Sequence, residues 1–234
     1  MAQADLTELT NSVAIASIDR GVTTGTDKPN GGGSFVYGFN SLTVVEGSVG
    51  LFANQVNFAP MAKGGTVSAA IKRAASGGTT GWAPFIFIGL QGPDVSDLGY
   101  LLGLQDTDPT HVVLRKGTVD NGLAEGTPDP TNNGILRRST NAKEIDTWYH
   151  LRLDMVVNGS GDVILKVFEN DLTVNTVGSP VWQAIAGMAD FTDDALGINT
   201  GTAPYTSGRA GFGHRNEDVT RRSLFDHLRV IRQL

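Results

Sequence analysis

The stretch HLRLDMVVNGSGDVILKVFEN, residues 150–170, carries two alternating runs around a cluster of turn formers. Leu151, Leu153, Met155 and Val157 fall on one face of the first run, and Val163, Leu165 and Val167 on one face of the second. Successive side chains of a strand point to opposite faces, so this pattern predicts a half-buried β-hairpin. Asn158-Gly159-Ser160-Gly161 is read as a four-residue connection. Asn158-Gly159-Ser160 is also a glycosylation sequon, and it is read here as turn chemistry. Leu153, Met155, Val163 and Leu165 are expected in the core.

Strand signals continue on both sides. SFVYGF (34–39) and TVSAAIKRA (66–74) alternate, whereas WAPFIFIGL (82–90) is a continuous apolar run, as expected of a central strand covered on both faces. LGYLLGLQD (98–106), HVVLRKG (111–117), PVWQAIAG (180–187), GRAGFGHR (208–215) and SLFDHLRVIR (223–232) complete the set. In the last, strict alternation puts Phe225, His227, Arg229 and Ile231 on one face and Asp226, Leu228 and Val230 on the other. Helical signals are confined to a capped turn at Asp5-Leu6-Thr7-Glu8 and a short turn within 187–197. About a dozen short strands in one chain require two stacked sheets or a barrel. Residues 1–33 contain no aromatic side chain, and RGVTTGTDKPNGGGS (20–34) is rich in turn formers. This predicts an extended N-terminal arm, 1–33, ahead of one β-sandwich domain, 34–234. The competing expectation is that SVAIASI (12–18) pairs within the domain as an edge strand.

Composition narrows the function. Of 234 residues 40% are hydrophobic, enough for a core. The absence of cysteine excludes disulfides, thiolate metal sites and cysteine nucleophiles. A net charge of −6 argues against nucleic acid as a partner. A local exception is 209–234, where six arginines (Arg209, Arg215, Arg221, Arg222, Arg229, Arg232) stand against Glu217, Asp218 and Asp226; it is read as a solvated face with internal ion pairs. No apolar run reaches the ~18 residues of a membrane span. No apolar segment near Met1 reads as a signal peptide, so folding in a cytoplasm is expected.

The order of the strands adds a resemblance. Trp148 opens a strand that ends in a polar turn; an alternating run follows from Val163 to Val167, then GRAGFG (208–213), then FDHLRV (225–230). Over residues 64–234 this resembles the concanavalin A-like, or laminin-G-like, jelly roll. The resemblance implies an all-β sandwich of two antiparallel sheets. Its hosts include lectins, glycoside hydrolases and structural modules. With the arm, the absence of cysteine and of a catalytic set, the chain also resembles virion structural proteins of tailed bacteriophages. That likeness implies a non-catalytic capsid decoration (cement) protein located in the virion. Its partners would be the major capsid protein or another virion protein, with homo-oligomer or lattice contacts and no membrane. The alternative is a carbohydrate-binding, lectin-like module with a glycan partner, and a glycoside hydrolase ranks third.

Candidate sites are few. Jelly-roll glucanases carry Glu-x-Asp-x-Glu or Glu-x-Asp-x-x-Glu on one strand. Here Glu144-Ile145-Asp146 is followed by Thr147, Trp148 and Tyr149, so the second glutamate is missing and no catalytic residue is assigned. His111, His150, His214 and His227 lack ligand spacing. No cofactor is expected. Asp106 and Asp108 are the calcium candidates, with Asp94 and Asp97 as a second acidic cluster. Trp82, Trp148 and Trp182 adjoin apolar strand residues and are read as core. The loop NTGTAPYTSG (199–208), with Asn199 and Tyr205, is the candidate glycan contact.

Overall fold

A computed structural model describes residues 6–9, 18–19, 28–32, 37–40, 48–54, 64–74, 82–91, 98–105, 109–118, 134–216 and 222–232. Among them are fifteen strands and no helix. In chain order these are β1 (Leu6–Leu9), β2 (Ile18–Asp19), β3 (Tyr37–Asn40), β4 (Ser48–Asn54), β5 (Gly64–Ala74), β6 (Trp82–Leu90), β7 (Leu98–Leu104) and β8 (Val112–Thr118). They continue as β9 (Ile135–Arg138), β10 (Trp148–Val157), β11 (Val163–Asn170), β12 (Trp182–Ala184), β13 (Phe191–Asp193), β14 (Arg209–Asn216) and β15 (Arg222–Arg232). Sheet A has the order β1-β4-β14-β6-β7-β8-β9, and sheet B the order β12-β11-β10-β5-β15-β3-β2, with β13 also on β11. Every pairing is antiparallel. The sheets stack as a sandwich.

The hairpin at 150–170 forms as its alternation requires. Leu153 pairs with Val167 and Met155 with Leu165. Leu151, Leu153, Met155, Val163 and Leu165 are fully buried against the inner face of sheet A, including Ile86, Ile88 and Leu102. The connection is five residues, Asn158–Asp162, rather than four. Asn158 Oδ1 accepts the N–H groups of Ser160 and Asp162 at 2.9 and 3.0 Å, and Asn158 Nδ2 donates to Asp162 Oδ2 at 2.8 Å. Asp162 is part of the turn because its backbone closes the loop, its carbonyl accepting the Asn158 N–H at 3.0 Å.

The apolar run of β6 lies in the middle of sheet A. Its even positions, Ile86 and Ile88, join the inter-sheet core, while Phe85 and Phe87 join a second cluster with Leu101, Val113 and Ile135 on the outer face. Both faces of β6 are therefore buried.

Three expectations are corrected. Leu6–Leu9 is strand β1, paired with β4, not a helical turn; Thr7 and Leu9 carry the β-forming and apolar character that an edge position rewards. Within 187–197, Phe191–Asp193 is strand β13 on β11, and only the residues after it turn. In β15 strict alternation fails. The register against β5 shifts between Asp226 and Arg229, and His227 sits at φ 53°. The extra residue of this β-bulge returns Leu228 and Val230 to the core side beside Phe225, and leaves Arg229 and Ile231 exposed.

One ion pair crosses the buried end of the sandwich. Lys116 Nζ lies 2.8 Å from Asp193 Oδ2, and neither side chain is exposed. Tyr100 OH donates to Asp193 Oδ2 at 2.5 Å and Thr200 Oγ1 to Asp193 Oδ1 at 2.7 Å. Lys116 also donates to the carbonyls of Thr202 and Ala203. A buried charge pair is tolerable only when its remaining donors and acceptors are satisfied, and here they are, which fixes the loop after β13 to sheet A.

Candidate functional site

Both faces of β6 are sealed, and the hollows that follow lie on sheet B. The strand register places its rows. Asp226 of β15, Ala70 of β5, His150 of β10 and Asn170 of β11 stand side by side across the sheet. His150 and Ala70 have no exposed surface and Asn170 only 1%. Three features close over this row. The Trp182 ring lies 4.6 Å from that of His150. The loop after β11 folds back, so that Asn170 Nδ2 reaches the Thr176 carbonyl at 3.1 Å and Asn170 Oδ1 accepts Val181 N–H at 2.9 Å. Residues 29–32 then cross the sheet as a strap. Asn30 Nδ2 donates to the carbonyls of Leu172 and Asn175 at 3.2 and 2.7 Å, and the Asn30 carbonyl accepts Val177 N–H at 2.9 Å.

The glycines of KPNGGG explain the closeness of this crossing. A Cβ on Gly31 (φ 75°) would stand 2.5 Å from Thr176 Cβ, and one on Gly32 2.5 Å from Asp226 Oδ2. Only glycine fits both places.

Beside the strap, at the Trp148 end of β10, a cleft of about 520 Å³ opens. Its walls are Lys28, Pro29 and Asn30 from the strap side, Lys143 and Thr147–Tyr149 before and at the start of β10, Glu169–Thr173 at the end of β11, and Gln183–Ala184 of β12. Lys143 Nζ binds both Glu169 oxygens, at 2.8 and 2.6 Å, and lies 4.8 Å from the centre of the Tyr149 ring. Tyr149 OH accepts Glu144 N–H at 2.7 Å. Burial, then the charges of Glu169 and Glu144, push the Tyr149 hydroxyl above its usual pKa. Asp171 Oδ1 accepts from Thr173 Oγ1 at 2.7 Å and Thr173 N at 2.9 Å, which holds its carboxyl below the ordinary value. Trp148 is half-buried, and its Nε1 has no hydrogen-bond partner. The cleft is lined by two aromatic side chains, Trp148 and the Tyr149 ring that Lys143 covers, among amides and charges, and its carboxylates, Glu169 and Asp171, are already engaged.

The residues singled out from the sequence lie elsewhere. Tyr205 is buried, 5.3 Å from the Tyr100 ring and under Lys116 Nζ at 5.0 Å. Asn199 is exposed; its N–H donates to Asp194 Oδ2 and its Nδ2 to the Thr192 carbonyl, so it shapes its own loop. Glu144 and Asp146 do not sit on a strand: Asp146 occupies a turn at φ 65° and pairs with Lys72 at 2.7 Å. Asp106, Asp108, Asp94 and Asp97 lie outside the described residues. Among the described residues no group of three or more His, Asp or Glu side chains is placed to hold a metal ion. Trp148 and Trp182 lie outside the inter-sheet core; Trp148 packs, half-buried, on the small cluster of Ala74 and Leu224 on the outer face of sheet B, and Trp182 covers His150. The side chain of Trp82 lies outside the described residues. The register of the hairpin contained the missing signal. Counted back from the turn, His150 meets Asn170, which brings Trp148–Tyr149 to Asp171.

No protein-family model and no curated protein matches the chain. Solved structures do. An alginate lyase from Aplysia kurodai, of the PL-14 type, is 12% identical with a TM-score of 0.52, over 86% of this chain and 84% of that one. A Shewanella oneidensis protein of unknown function is 13% identical with a TM-score of 0.51, over 98% and 80%. A legume lectin-like domain from Entamoeba histolytica is 12% identical with a TM-score of 0.44, over 83% and 82%. At these identities the first two likenesses carry the fold alone, and the two stacked antiparallel sheets are those of a concanavalin A-like jelly roll.

Proposed function

We propose that this chain is a carbohydrate-binding module and that its ligand lies in the cleft bounded by Trp148, Tyr149, Glu169 and Gln183. The observation that supports this most is the composition of the cleft. Aromatic faces accept the apolar faces of sugar rings, and nearby amides and charges accept and donate to hydroxyls. Lys143, Glu169 and Asp171 are held by their own partners, so the polar groups are oriented before a ligand arrives, which lowers the cost of binding. The alginate lyase of similar fold acts on alginate, and polysaccharide is therefore the ligand class to test first.

Binding without turnover fits the electrostatics. Both Glu169 oxygens are occupied by Lys143, the Asp171 carboxyl is held ionised, and the Tyr149 hydroxyl is shifted away from a base's range. Attachment to a virion, with a capsid partner, has no observation of this structure behind it, and glycan binding takes its place as the leading reading.

The test is binding of the purified chain to a glycan array that includes alginate and mixed-linkage β-glucan. Trp148→Ala is expected to weaken binding about tenfold or more, as loss of a central aromatic does. Gln183→Ala, at an exposed position, should weaken it without touching the core contacts of Trp148. Unchanged affinity in both variants, or no binding to any member of the array, would refute the proposal.

A further inference from the structure

The strap that walls the cleft also ends it. The row beneath the strap, Asp226–Ala70–His150–Asn170, runs across four strands, and Ala70, His150 and Asn170 are buried. On the far side of that row a second hollow of about 300 Å³ opens over Thr66, Arg152, Asp154 and Ile231. Trp148 and Asp154 face outward from the same strand, some ~20 Å apart at the usual rise per residue. The two hollows are separate compartments along β10, because the strap, bonded to the Leu172–Val177 loop at one end and fitted against Asp226 at the other, lies over the row together with the Trp182 ring on His150.

We infer that the cleft beside Trp148 receives the end of a glycan chain, or a short oligosaccharide, and not the interior of a polymer. This rests on the glycan reading above. A polymer bound through its middle must leave a site in two directions. Here the direction along β10 is closed by the covered His150 row and by the strap, whose Asn30 amide is held by the Leu172 and Asn175 carbonyls. Chain ends are also a distinct chemical class, since a terminal sugar carries a hydroxyl, or a reducing carbon, that an internal unit has spent in a linkage.

The experiment uses the full chain with alginate and mixed-linkage β-glucan, each presented intact and after partial hydrolysis, at equal mass. If chain ends are read, the protein bound at saturation follows the number of ends, so halving the mean chain length about doubles the capacity per gram. Capacity per gram that stays constant on hydrolysis, or falls, overturns the chain-end inference while leaving glycan binding intact. Absence of binding to both polymers in both forms overturns the glycan reading and this inference with it.

Discussion

His214 is 4% exposed, and its Nδ1 stands 2.6 Å from Ser223 Oγ between the sheets. Burial pushes its pKa down to about 3. His150, under Trp182 and the strap, is pushed down to about 4, by burial first and then by the charges of His227 and Arg229. Both values lie below the 6.5 of an unfolded histidine, and this sets the sign of the pH dependence. Above pH 6.5 neither state is protonated and stability is at its full value. As pH falls from there, the unfolded chain takes up protons that the folded chain refuses. Stability then drops by up to about 1.4 kcal/mol per pH unit for each histidine, until the folded pKa is reached. Asp162, Asp171 and Asp194 are held below 3.8 by hydrogen bonds, so their contribution is lost only at more acidic pH. Among the described residues, the window between pH 6.5 and 4 therefore belongs to the two histidines. Denaturant titrations at pH 7 and 4.5 should show the loss, and His150→Gln with His214→Gln should flatten it. A slope unchanged in the double variant would mean that other groups carry it.

At the scale of the element, the 150–170 hairpin is the part whose sequence and structure agree most closely. Leu153 is fully buried between Val67 of β5 and Val167 of β11. Leu153→Ala should cost about 2–5 kcal/mol in chemical denaturation, the range for a buried leucine cavity. A loss under ~0.5 kcal/mol would place Leu153 on the wrong face, since a one-residue slip inverts every side chain of a strand. This hairpin was legible because its alternation is unbroken and its turn residues are local. β6 was legible because a run with no polar position has to be covered twice. β15 was misread because its bulge at His227 adds a residue that alternation cannot register. β4 and β9 were missed. β4 has Gly50 within it, and β9 spans only Ile135–Arg138 with two arginines. The cleft was legible only in part. Trp148 was visible, but adjacency to apolar residues does not tell a strand's inner face from its outer one; the pairing of β10 with β5 and β11 decides it.

At the scale of the whole molecule, the question is whether residues 1–33 are an appendage. Three described pieces of that segment contact the domain's own sheets. β1 pairs with β4 at the edge of sheet A, β2 pairs with β3 at the edge of sheet B, and the strap crosses the His150 row. Removing 1–33 would unpair β4 and β3 together, leaving two bare edges that invite pairing with other chains. It would also uncover His150 and remove Lys28, Pro29 and Asn30 from the cleft wall. The truncated chain is therefore expected to melt at lower temperature, to associate in size-exclusion chromatography, and to lose glycan binding even in the fraction that stays soluble. A separable arm makes the opposite forecast. A monomer with an unchanged melting temperature and unchanged glycan affinity would show that the domain is complete from residue 34. The segment would then be free to serve as an attachment device, as the virion expectation requires. Intermediate behaviour is also diagnostic. Loss of glycan binding without association would assign the strap to the cleft, and the edge strands to a minor role in holding the sandwich.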